Sequence, residues 1–202
     1  MSENTKKFYT DIYTEVYQDD PEYGAVHGQQ IIRPLVDFLA TCEAPRVHID
    51  CGCGRIQFGK ILLSLMKEVQ VKITSYAVDV YQYHTIPDGV IFVKDTVWDL
   101  SQIPEQADAI TCLDVLEHLT EADVERTLSH MRTKLQVLGR IYVTVGLNKA
   151  VHRSPPGTSN LHLTVKPSAW WESCLSKYFD IIHSVKDGGT HTAVGIKREA
   201  IS

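Results

Sequence analysis

No apolar run in this 202-residue sequence approaches the ~20 residues that a membrane-spanning helix requires. The N-terminus also lacks the apolar stretch of a signal peptide. An excess of positive charge is missing too, because the formal net charge is -5 at pH 7. A negative chain has no overall attraction for nucleic acid or for an anionic membrane. These absences predict a soluble, cytoplasmic protein with no membrane partner, and they argue against nucleic acid as a partner.

The cysteines provide neither a disulfide framework nor a structural zinc site. Their number, five, is odd, and most lie in predicted helices or strands, so we expect them to be reduced. Cys51 and Cys53 form a CxC pair, but no second Cys/His pair follows at zinc-site spacing. We therefore interpret both as small residues that pack a tight turn. No His/carboxylate cluster in the sequence requires a metal, and none is predicted.

The stretch 47–55 is the most informative part of the sequence. A short apolar run rises to Asp50, two glycines then flank one small residue at Gly52 and Gly54, and a helical pattern follows. Strand, glycine turn and helix in this order present backbone N–H groups to a ligand. Glycine suits the turn because it reaches unusual backbone angles cheaply and lets a ligand approach. Alone, the pattern does not identify that ligand.

Acidic residues follow the next two predicted strands. Asp79 ends the second strand, where a carboxylate accepts hydrogen bonds from ribose hydroxyls. Its alternative role is to cap a turn. Asp95 and Asp99 follow the third strand, where one of them could bind an adenine amino group with Trp98 packed nearby. Turn formation is the alternative for both.

The alternation of apolar runs and helical patterns predicts one domain with a mostly parallel, doubly wound α/β sheet. Apolar residues make up 44% of the chain, which is ample for a sizeable core, and no repeat or interdomain linker stands out. The turn 187–189 indicates a hairpin, so the last strands should be antiparallel. The predicted helices are 29–42 with Pro34 near the first turn, 58–69, 121–138 and 167–177, and the predicted strands are 47–49, 71–80, 90–93, 107–113, 140–145, 179–185 and 190–197.

Residues 1–28 form a polar and aromatic segment ahead of the main domain, which we place at residues 29–202. Tyr9, Tyr13 and Tyr17 recur every four residues and therefore share one face of a predicted helix. That face either packs the helix on the domain or forms a lid whose rings cover a ligand. Both interpretations stay open here, since an N-terminal segment needs a reason to be ordered.

The longest irregular segment, residues 146–163, follows the fifth strand at the ligand edge of the sheet. A loop of this length in a compact domain is usually either functional or disordered. It contains His152, Arg153 and His162. The two histidines are candidate bases because imidazole titrates near neutral pH. The alternative for each is a solvated loop residue.

Taken together, these segments resemble the class I S-adenosylmethionine-dependent methyltransferases. The resemblance covers residues 30–197 in the family's order and spacing. It is carried by the glycine motif IDCGCG at 49–54, the acid of AVD at 77–79, the fourth-strand motif ADAITCLDVLEHL at 107–119 and the fifth strand LGRIYV at 138–143. One departure is Arg55 and Ile56 in place of a frequent third glycine, which leaves the local path of the turn open.

The resemblance implies a three-layer, seven-stranded sheet with an antiparallel last strand. It also implies S-adenosylmethionine (SAM) as methyl donor and S-adenosylhomocysteine as product. The cofactor-binding residues that it implies are Asp50, Cys51, Gly52, Cys53 and Gly54 at the turn, Asp79 and Val80 at the ribose, Asp95 and Thr96 at the adenine, and Leu113 and Asp114 at the methionine part.

Glu117 and His118 end the fourth-strand motif and have two interpretations. In the family's short helix at this place, Glu117 would be a first-turn anion and His118 a packing residue. Either residue could instead face the substrate. The structural role is favoured for both, and the candidate substrate-binding residues are Tyr13, Tyr17, His118 and Arg153.

Methyl transfer from a sulfonium mainly requires alignment of the acceptor with the methyl group, with a base where a proton must leave. The candidate bases are His152, His162 and Asp114. The Asn/Asp-Pro-Pro-Tyr motif of DNA amino-methyltransferases and the Pro-Cys pair of cytosine-directed enzymes are absent. We therefore predict methylation of a hydroxyl or amine on a small-molecule acceptor. The alternatives are a nucleic-acid or protein methyltransferase, a SAM-binding module without activity, and a nicotinamide-dependent oxidoreductase.

Overall fold

The computed structural model describes residues 3–19, 29–82, 85–150 and 160–199. Within these ranges the chain forms five α-helices, one short 3₁₀ helix and seven strands. The helices are α1 (Glu3–Asp19), α2 (Gln29–Thr41), α3 (Gln57–Glu68), the 3₁₀ helix (Leu116–His118), α4 (Glu121–Lys134) and α5 (Ser168–Ser176). The strands are β1 (Val47–Cys51), β2 (Thr74–Asp79), β3 (Val90–Lys94), β4 (Ala107–Leu113), β5 (Leu135–Gly146), β6 (Asp180–Asp187) and β7 (Thr190–Ile196).

The seven strands form one mixed sheet in the order β3-β2-β1-β4-β5-β7-β6. Strands β1 to β5 pair in parallel, whereas β7 runs antiparallel to both β5 and β6. The predicted seven-stranded, doubly wound sheet with its antiparallel last strand is confirmed, as is the hairpin between β6 and β7. Because the strand order reverses at β1, a crevice opens beyond the carboxyl ends of β1 and β4.

Helices cover both faces of the sheet and give the fold its three layers. One main cluster of buried side chains joins α1, α4 and α5 to the sheet and includes Ile141 and Val143 of β5. A second cluster joins α2 and α3 to the sheet and includes Tyr142. Ile141 and Val143 belong to one cluster and Tyr142 to the other, because successive side chains of a strand point to opposite faces of the sheet. Among the helices in the described ranges, none has the length and apolar content needed to cross a membrane.

The junction between α4 and β5 corrects the sequence prediction. Apolar spacing predicted a helix to residue 138, but α4 ends at Lys134 and β5 begins at once. Leu135 is fully buried and pairs with Ala107. Leu138 is 68% exposed, and its N–H donates to the carbonyl of Lys197 at 2.8 Å. Backbone partners on both sides thus hold this segment in the sheet, and the exposed Leu138 gives no apolar reason for a longer helix.

Helix α2 holds a second correction. Pro34 lies inside the helix rather than near its first turn. Proline has no N–H to donate to the carbonyl one turn earlier, which costs a helix interior about 3 kcal/mol. The carbonyl of Pro34 accepts a hydrogen bond from the Tyr142 hydroxyl at 3.3 Å, and Leu35 beside it is fully buried. Packing against the sheet therefore keeps the helix continuous across the proline.

A buried polar chain crosses the sheet at His48 of β1. Its Nδ1 lies 3.1 Å from Ser75 Oγ, and its Nε2 lies 3.0 Å from Thr111 Oγ1. The Thr111 hydroxyl donates to Asp50 Oδ1 at 2.6 Å. Its oxygen therefore accepts from the His48 Nε2–H, which leaves Nδ1 to accept from the Ser75 hydroxyl. Burial lowers the pKa of His48 to about 3, so the imidazole is neutral at neutral pH.

We expect this buried histidine to sensitise the fold to acid. Its pKa falls from 6.5 to about 3 on folding, so its contribution to stability is complete above pH 6.5 and is lost as the pH falls toward 3. Between pH 7 and pH 5, the free energy of unfolding should drop by about 2 kcal/mol more in wild type than in His48→Gln. Urea unfolding at both pH values measures the difference, and the exposed His183→Gln serves as control. Equal pH dependence in wild type and His48→Gln would refute the expectation.

Candidate active site

A cavity of about 340 Å³ opens at the carboxyl ends of β1 and β4. The glycine turn after β1 and the end of β2 bound one side. The 3₁₀ helix, the segment after β5 and helix α1 bound the other. The topological switch point of the sheet therefore holds a partly open cavity of ligand size.

The glycine turn is tight because three of its residues adopt positive φ, namely Gly52 at 76°, Gly54 at 49° and Ile56 at 60°. Ile56 takes the place of a third glycine and caps α3 in the left-handed conformation. This costs a branched residue about 1–2 kcal/mol. Its side chain is only 1% exposed, and burial of a whole isoleucine offsets that cost. Ile56 thus adopts the left-handed conformation at the start of α3, where the third glycine of the motif would stand.

Two buried carboxylates line the cavity where β1 and β2 end. Asp50 accepts the Thr111 hydroxyl through Oδ1, and its Oδ2 has no partner among the described residues. Asp79 accepts the N–H of Gly54 at 2.9 Å and that of Tyr81 at 3.2 Å. Burial raises the pKa of each carboxyl to about 6. A cationic or hydrogen-bond-donating ligand would stabilise both in the charged form.

Asp95, a predicted adenine contact, is engaged outside the cavity. Its Oδ1 accepts from Lys6 Nζ at 2.6 Å and from the N–H of Thr96 at 2.8 Å. Its Oδ2 accepts from Gln102 Nε2 at 2.5 Å. Thr96 lines the cavity, whereas Asp95 does not. The carboxylate therefore ties helix α1 to the segment after β3.

Asp114 turns the chain at the end of β4. Its φ of 53° lies in the left-handed region, which aspartate tolerates better than most residues. Its N–H donates to the Thr144 carbonyl at 2.9 Å, and the Thr144 hydroxyl donates to Asp114 Oδ1 at 2.9 Å. This turn, fastened to β5, directs the following 3₁₀ helix toward the cavity.

The 3₁₀ helix brings Glu117 and His118 to the cavity wall. Glu117 is 1% exposed, its Oε1 accepts the Gly146 N–H at 2.6 Å, and its Oε2 has no partner in the part of the chain described. Burial and the nearby Asp114 raise the pKa of Glu117 to about 8. His118 Nδ1 lies 3.1 Å from the carbonyl oxygen of Leu161, and burial lowers the pKa of His118 to about 4. Both side chains therefore face the cavity as well as packing in the fold.

His162 reaches the same place from the segment after β5. Its Nδ1 lies 2.5 Å from the carbonyl oxygen of Asn148, and its ring stands edge-on to that of His118 with centroids 4.7 Å apart. The Thr164 hydroxyl donates to the carbonyl of Leu119 at 2.6 Å. These contacts fasten residues 160–164 to the end of the 3₁₀ helix and hold His162 at the cavity.

Helix α1 supplies aromatic rings to the cavity. Tyr9 is 3% exposed, its hydroxyl donates to Asp123 Oδ2 at 3.1 Å, and its ring packs on Trp98. The ring of Tyr13 lies 5.8 Å from that of His118. Both tyrosines line the cavity. The aromatic face of α1 thus packs on the domain and borders the cavity at the same time.

Most predicted site residues come together at this cavity, and the others fall into two groups. Cys51 and Asp95 are buried without lining it. His152, Arg153 and the side chain of Tyr17 lie outside the described residues. The predicted residues that line the cavity are Asp50, Gly52, Cys53, Gly54, Asp79, Val80, Thr96, Leu113, Asp114, Tyr13, His118 and His162.

Tyr9, Glu117 and Gly146 are among the lining residues that were not assigned to the site from the sequence. A signal existed for the first two. Tyr9 shares the four-residue spacing of Tyr13, and Glu117 precedes His118 in the fourth-strand motif. The sequence around Gly146 does not indicate a role in the site. Glycine is required there because other side chains pack closely against it. A Cβ there would lie 2.9 Å from both Glu117 Oε1 and His162 Cε1.

Comparisons with known proteins agree with this architecture. A family model described as a methyltransferase domain matches residues 25–171. The ubiquinone biosynthesis O-methyltransferase of Pseudomonas syringae pv. tomato is 26% identical over 189 residues, which cover 81% of this chain and 78% of that protein.

Solved structures of methyltransferases share the fold. The 1,6-didemethyltoxoflavin-N1-methyltransferase of Burkholderia thailandensis, solved with 1,6-didemethyltoxoflavin and S-adenosylhomocysteine, has a TM-score of 0.69 at 18% identity, over 97% of this chain and 90% of that one. Magnesium protoporphyrin IX methyltransferase from Synechocystis PCC 6803, solved with S-adenosylhomocysteine, has a TM-score of 0.62 at 14% identity, over 96% and 99% of the two chains.

The family model spans well over half of the sequence. The seven-stranded sheet and the antiparallel β7 are those implied by the resemblance noted in the sequence. The curated relative and the solved structures carry the same type of activity. This chain therefore belongs to the class I SAM-dependent methyltransferases, and SAM is its methyl donor.

Proposed function

We propose that this enzyme methylates a hydroxyl or amine of a small-molecule acceptor. The cavity of about 340 Å³ carries the proposal, because its volume is that of small-ligand sites. The net charge of -5 gives no field that would gather nucleic acid. Two relatives named above are an O-methyltransferase and an N1-methyltransferase, which supports this class of acceptor.

The residues at the ends of β1 and β2 fit SAM. Asp50 offers the buried, unpartnered Oδ2 to an ammonium group, and Asp79 lies where ribose hydroxyls are bound in such folds. Gly52 keeps the turn close to the 3₁₀ helix, since a Cβ there would lie 2.3 Å from Val115 Cγ2. We assign the remaining cofactor contacts to Cys53, Gly54, Val80, Thr96, Leu113 and Asp114, with Cys51 and Asp95 supporting the site from outside the cavity.

SAM supplies a methyl group that is already activated on a sulfonium. The chain has to align the acceptor, exclude water and, where needed, take a proton. His162 and Asp114 are the described candidates for the base, because both line the cavity. A carbonyl oxygen only accepts hydrogen bonds, so the His162 Nδ1 near Asn148 O carries the proton and Nε2 carries the lone pair. His152 and Arg153 remain predictions for the segment 151–159.

We further propose that residues 1–28 form a lid segment on a catalytic domain at 29–202. Tyr9 and Tyr13 support this division, because both border the cavity from a helix outside the sheet. Lys6 adds an ion pair with Asp95, at 2.6 Å, that fixes the same helix beside the end of β3. The helix is thus placed to close the acceptor side of the site.

The lid assignment gives a kinetic expectation for Tyr13→Leu. Loss of the ring beside His118 should raise the KM for the acceptor by about two- to tenfold, because an aromatic contact with the acceptor would contribute about 0.5–1.5 kcal/mol beyond its area. The dissociation constant of SAM should stay within about twofold of wild type. Phe8→Leu, at a 42% exposed position on the same helix, is the matched control. A change confined to SAM affinity would contradict the assignment.

Two measurements test the proposed function. Isothermal titration establishes SAM binding, and incubation with methyl-labelled SAM then screens a panel of phenols, catechols, hydroxy acids and amines. We expect label in at least one small molecule. If label from a cell extract enters only RNase-sensitive or protease-sensitive material, the acceptor class is wrong. Tight SAM binding without any labelled product would indicate a binding module.

A further inference from the structure

We propose that Glu117, His118 and His162 bind one divalent transition-metal ion of the zinc class, which in turn holds an oxygen atom of the acceptor. The role toward the acceptor rests on the proposed function, whereas the ligand set stands on geometry. Each side chain offers one ligand atom, and these atoms lie within 4.8 Å of one another. In the described part of the chain, no other group of three such side chains meets this condition.

The hydrogen bonds of the two histidines decide which ring nitrogen carries the proton. His118 Nδ1 lies 3.1 Å from the carbonyl oxygen of Leu161, and His162 Nδ1 lies 2.5 Å from that of Asn148. Since a carbonyl oxygen can only accept, each Nδ1 is protonated and each Nε2 has its lone pair in the plane of the ring. Histidine ligands of metals are held in this way, with the other ring N–H donated to a carbonyl or carboxylate.

Glu117 is the third proposed ligand, and its hydrogen bonding supports the metal site independently of the two histidines. Its side chain is almost fully buried, Oε1 accepts the Gly146 N–H at 2.6 Å, and Oε2 is buried without a partner in the described residues. A buried carboxyl oxygen without a hydrogen-bond partner is costly in either protonation state. A cation between Oε2 and the two imidazoles would satisfy it.

Gly146 shows how closely this cluster is packed. A Cβ at Gly146 would lie 2.9 Å from Glu117 Oε1 and 2.9 Å from His162 Cε1. Only a residue without a side chain lets β5 run between the two groups. Bonds of about 2.1 Å place tetrahedral ligand atoms about 3.4 Å apart. The ligand atoms lie within 4.8 Å of one another, so they need to close by at most about 1.4 Å around an ion.

The donor set and its position indicate the type of ion and its role. Two imidazole nitrogens and one carboxylate oxygen are the set found at catalytic zinc sites, which keep one position open for water or substrate. All three residues line the cavity, so the open position faces the acceptor. An acceptor oxygen bound there would lose its proton more readily, because a divalent cation stabilises the anionic form. With His162 as a metal ligand, Asp114 is the described candidate base that takes this proton.

Metal titrations of the EDTA-treated full-length protein test the site. We expect one Zn²⁺ to bind with a dissociation constant in the micromolar range or below, and Mg²⁺ to bind far more weakly. Co²⁺ in the same site should give visible absorption bands of a four- or five-coordinate ion. Glu117→Gln and His162→Asn should each weaken Zn²⁺ binding by about 100-fold. His183→Asn, an exposed histidine on β6, should leave it unchanged.

The same variants separate this inference from the proposed function. No saturable Zn²⁺ binding, or equal binding by wild type and His162→Asn, overturns the metal site. Full methylation after chelation, with SAM binding intact, overturns its role toward the acceptor but leaves the proposed function in place. Failure of every metal-loaded sample to methylate any acceptor would instead count against the proposed function. His162 is only partly buried, whereas Glu117 is almost fully buried, so His162→Asn keeps the test valid should Glu117→Gln fail to fold.

Discussion

Replacing Asp79 by alanine should weaken SAM binding by about 100-fold or more, because two ribose hydroxyls would each lose a charge-assisted hydrogen bond of about 1.5–3 kcal/mol. The carboxylate lies at the end of β2, lines the cavity and is only 8% exposed. Water cannot readily replace it in the complex. Isothermal titration of the purified variant measures the change directly.

The control has to separate ligand contact from the support that Asp79 gives to the turn. Asp79 also accepts the N–H groups of Gly54 and Tyr81. Asp79→Asn keeps an acceptor oxygen of the same size for Gly54 while removing the charge, so its loss of affinity should be smaller than that of alanine. Asp88→Ala, in the exposed loop before β3, should bind SAM like wild type. A folded Asp79→Ala protein that binds within about threefold of wild type would refute the assignment.

Local patterns were sufficient for much of the fold. The bounds of β4 at residues 107–113 were predicted without error, because a short apolar run is bounded there by charged and polar residues. The hairpin between β6 and β7 followed from its glycines, one of which has φ at +54°. In each case the physical cause lies within a few residues of the element, where a single sequence displays it.

A local sequence pattern does not predict secondary structure that depends on contacts with residues far along the chain. Residues 135–138 have helical spacing but belong to β5, because their backbone partners are Ala107 and Lys197. Periodicity reports which side chains are apolar and cannot report which strand edge is available. The prediction was wrong there for that reason.

The residues of the candidate site also differ in how far their contacts reach along the chain, and therefore in how well the sequence predicts them. The glycine turn and Asp79 belong to one strand-turn-helix unit and the strand beside it, so their meeting follows from topology. Glu117 and His162 are separated by the whole of α4 and β5, and they meet because residues 160–164 are bonded to the end of the 3₁₀ helix. The sequence of neither segment predicts that the two are in contact. For this reason the sequence analysis did not predict that Glu117, His118 and His162 could bind a metal together.

Gly52→Ala should lower the free energy of unfolding by about 3 kcal/mol, the second large effect that we expect. Gly52 has φ +76°, which costs an L-residue about 1–2 kcal/mol. Its new Cβ would lie 2.3 Å from Val115 Cγ2 and 3.0 Å from Cγ1. Valine is stiff at χ1 and cannot swing both methyl groups away. Overpacking of this kind adds about 1–3 kcal/mol.

A double-mutant cycle separates the two causes. Gly188→Ala is the matched control, because Gly188 has φ +54° and nothing lies within 4 Å of a new Cβ there. This variant should therefore lose stability only through its backbone conformation. Adding Val115→Ala to Gly52→Ala should recover about 1–2 kcal/mol, since it removes both clashing methyl groups but not the positive φ. Urea unfolding of the single and double variants gives these values. If Gly52→Ala proves no more destabilising than Gly188→Ala, the contact with Val115 is not what requires glycine. The turn would then be set by backbone conformation alone, and the 3₁₀ helix would be free to approach it at a different distance.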